Sequence, residues 1–167
     1  MENNQEIQNV QLLRLDYALQ VKEMALLAGT NEKTYQKYEV DSSTLNYKYI
    51  LALANVFAVS LDWIVGRCTK QYKYNKDIIL GLEQDCEETL KKIAKDYAIS
   101  IPRDYSREGP REERYSEQAR AAIVSYVRLI TFFSKKTSQK KVAQRYQEKK
   151  KEYIARLREQ MQFPSHY

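Results

Sequence analysis

Ten basic side chains crowd residues 135–167: Lys135, Lys136, Lys140, Lys141, Arg145, Lys149, Lys150, Lys151, Arg156 and Arg158, against only Glu148, Glu152 and Glu159. A segment at net +7 attracts phosphate polymers and gains from the counterions it displaces. Lys140, Lys141, Arg145, Lys149 and Lys150 are its candidate contacts. The same residues also fit the solvated face of a packed or coiled helix, and both readings stand at this point. Other chemistries have less to work with. No nucleophile, base and orienter occur at a recognisable spacing, and the sole histidine, His166, is one residue from the end. Two cysteines, Cys68 and Cys86, cannot build a zinc site alone and are expected as reduced thiols. The chain is therefore expected to be no enzyme, with no metal and no cofactor.

The net charge of +6 lies almost wholly in that tail. Residues 1–70 carry seven Lys/Arg against eight Asp/Glu, and residues 71–134 carry eleven of each. At 167 residues and 43% hydrophobic content the chain can bury a core. Four glycines and three prolines leave little material for tight turns, so an all-α fold is expected. No apolar run approaches the roughly 18 residues of a membrane span. The start MENNQE lacks the basic stretch of a signal peptide. A cytoplasmic protein with no membrane partner is expected.

The elements follow from periodicity. Val10, Leu13 and Tyr17 mark a first helix, and Val21 to Ala28 a second that Gly29 ends in the left-handed conformation. Thr30 or Asn31 caps a third through Tyr38 and Glu39, and Asp41 to Thr44 form a polar loop. Helix 4 is expected from Tyr47 to Phe57, and Ser60 caps a short fifth. After the polar run CTKQYKYNK, the stripe Ile79, Leu82, Cys86, Leu90, Ile93, Tyr97 predicts a long amphipathic helix. Pro102 and RDYSREGPREER predict an exposed loop. Ser116 then caps a helix with a wide apolar face from Ala119 to Phe133, and a last helix runs from about Ser138 to Met161. The expected domains are 1–68, a linker at 69–77, and a helical dimerisation or interaction module at 78–167.

Ala25, Gly29 four residues later and Glu39 ten beyond that carry the spacing of a helix-turn-helix. With Arg14 and the ending Ser60, Leu61, Asp62, Gly66, residues 10–67 resemble the phage repressor and Cro family, also called Xre-like. The resemblance implies a five-helix domain in which Arg14 and Glu39 form a structural ion pair and Ala25 lets the second and third helices cross closely. It also implies that Glu32, Lys33, Gln36 and Lys37 face the major groove. There the lysines can donate to guanine O6 and N7, Gln36 can serve adenine, and Glu32 can accept from cytosine N4. Gln20, Lys22, Asn31, Ser43, Thr44, Asn46, Tyr47 and Lys48 match backbone-contacting positions. Tyr35 takes the inward position of the third helix, opposite Ala28.

The chain departs from the pattern at two places. Val21 stands where the family usually has a phosphate-binding glutamine, with Gln20 beside it. Asp41 and three uncharged hydroxyl residues replace the usual glycine and basic residues after Glu39. The resemblance implies a sequence-specific regulator of transcription, such as a repressor, whose occupancy of an operator blocks or recruits polymerase, from a bacterium or a mobile element such as a phage or plasmid. Its partners would be double-stranded DNA at a palindromic operator and a second copy of the chain. Two other readings remain open: an adaptor whose helix-turn-helix face docks another protein, and binding of nucleic acid without sequence preference through the basic tail.

Overall fold

A computed structural model describes residues 7–44, 46–69, 71, 76–101 and 117–162, with 76–85 and 117 described by backbone alone. The expected loop at 103–114, the Ser116 cap, Pro102, His166 and the side chains of Ile79 and Leu82 lie outside the described residues. All regular structure among the described residues is helical. The chain is all-α, and it divides into two compact units, Met1–Lys73 and Tyr74–Tyr167.

The first unit holds α1 (Asn9–Asp16), α2 (Val21–Ala28), α3 (Glu32–Val40), a 3₁₀ turn (Ser42–Thr44), α4 (Tyr47–Phe57) and α5 (Leu61–Ile64). Each helix buries one stripe, and the stripes meet in a core that includes Val10, Leu13, Met24, Ala28, Tyr35, Leu53, Phe57 and Ile64. Ala25 is buried in α2, which packs against both α3 and α4. Tyr17, expected within α1, instead follows it, and its ring lies 5.0 Å from that of Phe57. Polar ties fix the ends: Asn9 Nδ2 donates to the Trp63 carbonyl at 2.6 Å, and the Ser42 amide donates to Gln8 Oε1 at 3.0 Å.

The second unit holds α6 (Lys76–Asp96), α7 (Glu117–Phe132) and α8 (Lys140–Gln162). Helix α7 packs against both others, as its broad apolar face requires. Phe132 and Phe133 meet Tyr146, and Tyr126 stacks on Tyr153, giving the α7–α8 seam an aromatic filling. Helix α8 starts at Lys140, two residues later than expected, and the Gln139 amide donates to Thr137 Oγ1 just before it.

Gly29 and Gly66 end helices with positive φ. Three alanines do the same work: Ala18, Ala58 and Ala98 sit at φ near +50°, each followed by an amide donating to the carbonyl five residues back. A Cβ in that region is strained, and glycine is the residue that relieves it. Ala58→Gly is therefore expected to stabilise the first unit by about 0.5–1 kcal/mol, the strain relieved exceeding the added chain entropy. A higher midpoint in urea, followed by Trp63 fluorescence, checks it.

Candidate nucleic-acid interface

Helix α3 is built to present one face. Asn31 caps it, its Oδ1 accepting the Thr34 amide at 2.8 Å. Tyr35 and Tyr38 are buried beneath it, while Glu32, Lys33, Gln36 and Lys37 are exposed on the opposite side. Those four fall at i, i+1, i+4 and i+5, a single helical face.

What holds the helix is a three-residue network. Arg14 Nε on α1 donates to Glu39 Oε1 at 2.5 Å, its Nη2 to Glu39 Oε2 at 3.3 Å, and its Nη1 to the Leu19 carbonyl at 3.4 Å. The Tyr35 hydroxyl donates to the same Glu39 Oε1 at 2.8 Å. The hydrogen bond and charge of Glu39 raise the Arg14 pKa further. Burial, then the Glu39 hydrogen bond, push the Tyr35 phenol well above its ordinary value, so Tyr35 is a neutral donor to an ionised acceptor. Tyr35 and Glu39 are i, i+4 on α3, so their spacing was readable. That both converge on Arg14 needs α1 in place.

The other family-matched positions divide by whether their donors are still available. Gln20, Lys22, Asn31, Asn46, Tyr47 and Lys48 are exposed. The Gln20 amide donates to Glu23 Oε1 at 2.8 Å, so a buried carboxylate closes the start of α2. Glu23 carries no expectation from the sequence, although Gln-x-x-Glu before an apolar run is a variant of the capping-box spacing. Asn31 and Asn46 cap through Oδ1, which leaves their amide hydrogens for an outside acceptor.

Ser43 and Thr44 differ from that expectation. The Ser43 hydroxyl and amide both donate to Asp41 Oδ1, at 2.6 and 3.0 Å, and the Thr44 hydroxyl donates to the Asp41 carbonyl at 2.8 Å. A hydroxyl has one hydrogen to give, so neither offers it to a phosphate in this geometry. The Ser43 side-chain bond, helped by its amide, also holds the Asp41 carboxyl below its usual range. An anion therefore stands where the loop would meet another.

The tail is also reordered. Lys140 and Lys141 are exposed, but Lys149 is 6% exposed, pairs with Glu152 and stands 4.8 Å from the Tyr153 ring centre. It is a packed, paired cation, contrary to its reading as a phosphate contact. Arg145 and Lys150 are half-buried, and Lys150 stands 5.6 Å over the Tyr97 ring. Arg158 Nη2 donates to the Tyr97 carbonyl at 2.7 Å, serving the end of α6.

Five helices, a capped third helix with its polar face outward, and the Arg14–Glu39 tie are thus assembled in the first unit. Residues 10–64 match the helix-turn-helix family. That family is one of DNA-binding regulatory domains and not of enzymes. The match covers the helix-turn-helix unit alone, about a third of the chain. No curated protein and no solved structure matches the chain. No helix among the described residues is long and apolar enough to cross a membrane.

Proposed function

We propose that the chain is a sequence-specific DNA-binding regulator of transcription, similar to the repressor and Cro group, with α3 as its recognition helix. The observation that carries this reading is the division of α3: Tyr35, Tyr38 and Glu39 anchor one side, and Glu32, Lys33, Gln36 and Lys37 are solvent-exposed on the other. An anchored backbone limits the rotamer and rigid-body freedom that would otherwise blur base discrimination. Lys33 and Lys37 suit guanine, Gln36 adenine and Glu32 cytosine. Lys22, Lys48, Asn31 and Asn46 retain donors for the phosphates that set register, with Gln20 and Tyr47 exposed alongside. Two copies of the unit would occupy successive grooves about 34 Å apart, so the reading includes a homodimer on a palindromic operator. Occupancy of that operator by a repressor would exclude polymerase.

A protein-docking adaptor is the second reading. It is favoured by apolar side chains left outside the core of this unit, among them Leu15 at 52% and Leu26 at 50% exposure, and by Asp41 in the loop beside α3. Selection from a random duplex library separates the two. An enriched palindrome supports the regulator. Failure to enrich any sequence, together with no duplex binding at low salt, leaves the adaptor.

A further inference from the structure

The surplus positive charge of the second unit is not spread along α8. Toward its middle several of the cations are occupied: Lys149 pairs with Glu152, and Arg156 reaches both Glu152 and the Tyr153 ring, while Lys151 stays exposed. Lys150 and Lys92 line a cleft of 590 Å³ between α6, α7 and α8, where Glu88 and Asp96 balance them. The turn that joins α7 to α8 is different. Lys135, Lys136, Lys140 and Lys141 are all exposed there, and no Asp or Glu occurs between Glu117 and Glu148. Among the described residues no carboxylate pairs with any of the four. Lys135 stands 5.1 Å over the Phe132 ring, which fixes its stem at the turn and leaves the rest of its ammonium shell open. Lys140 and Lys141 form the first turn of α8, where the unpaired amides add partial positive charge.

We propose that this turn is a second, sequence-independent grip on duplex DNA, in which Lys135, Lys136, Lys140 and Lys141 hold backbone phosphates. It extends the duplex-binding reading above by naming where the non-specific affinity resides. All four are lysines, compact point charges that suit backbone phosphate. A lipid surface fits less well, because the large apolar side chains exposed among the described residues lie between Ile7 and Leu51, none of them at this turn. Membrane binding by an amphipathic segment needs such groups to bury. The first unit, at net −1 over residues 1–70, has little attraction of its own to offer a polyanion.

The test uses the full chain and the quadruple variant Lys135→Gln, Lys136→Gln, Lys140→Gln, Lys141→Gln, with a labelled duplex of unselected sequence titrated across about 50–200 mM NaCl. The wild type is expected to bind with a steep salt dependence. The variant's log–log slope is expected to be shallower by about 3.6, at roughly 0.9 for each phosphate that a lysine no longer neutralises. Circular dichroism checks that the variant folds, which exposed Lys→Gln changes permit. An unchanged slope, or no wild-type binding at the low-salt end, overturns the proposal. So does binding to vesicles of anionic phospholipid that the variant loses while its duplex binding is intact. The ratio of selected to unselected duplex affinity reports separately on α3. A ratio near one with a shallower variant slope leaves the grip and removes base reading. A high ratio with an unchanged slope does the reverse.

Discussion

Glu39→Ala destabilises the helix-turn-helix unit by about 3 kcal/mol, the low end for breaking a buried ion pair, because Arg14 and Glu39 retain 18% and 14% side-chain exposure. The loss is larger than one ion pair in isolation would suggest, since the carboxylate also accepts from Tyr35. Removing it strands a buried phenol and a guanidinium whose remaining bond, to the Leu19 carbonyl, is long at 3.4 Å. Tyr35→Phe removes one hydrogen bond to a charged acceptor and costs less, about 1.5 kcal/mol. Trp63 is the only tryptophan and lies buried in the same unit, so its fluorescence in urea reads both losses there. The two variants also separate by pH. A raised folded pKa means that Tyr35 keeps its proton when the unfolded chain would lose it. Stability from this source is present below about pH 10 and declines above it, by at most about 1.4 kcal/mol per pH unit. Tyr35→Phe should flatten that alkaline decline relative to wild type. An equal decline in both would remove Tyr35 from the account.

Lys33→Ala combined with Lys37→Ala should lower affinity for a selected operator by about 1–3 kcal/mol per lysine, five- to more than a hundred-fold each. Both side chains are exposed, so the first unit keeps its stability, and Trp63 fluorescence should show an unchanged urea midpoint. The decisive reading is position-dependent: each single variant should relax preference at a different base pair, while affinity for unselected duplex changes far less. A uniform loss on every sequence would mean that these lysines touch phosphates and that α3 reads no bases. The Glu39 and Lys33/Lys37 predictions are independent, because one concerns the buried side of α3 and the other its exposed side.

Much of this molecule was legible from residue order. Helix positions came from apolar spacing, and several termini from local chemistry: Asn31 and Ser60 cap through side chains, and Gly29 ends α2. The shift of α8 to Lys140 and the place of Tyr17 outside α1 are end effects of a turn, where local signals compete. The left-handed alanines were not legible, because nothing in an alanine announces positive φ. Ala18, Ala58 and Ala98 adopt it where the following amide bonds back to the carbonyl five residues earlier.

The same line runs through the candidate interface. By itself the sequence determined the all-α class, the helix-turn-helix spacing, and which residues of α3 share its outer face, since all of these depend on periodicity along one chain segment. Tertiary structure decided which polar groups remain available. Arg14 is taken up by Glu39 once α1 meets α3, and Arg158 by the Tyr97 carbonyl once α8 meets the end of α6. Asp41, by contrast, takes the donors of Ser43 and Thr44, and Lys149 meets Glu152 and Tyr153, within a single segment. Lysines 135, 136, 140 and 141 stay solvated in the turn. A charge is equally visible in sequence whether it is spent or free, and a partner on another segment, such as the Tyr97 carbonyl for Arg158, is fixed only when the two segments meet.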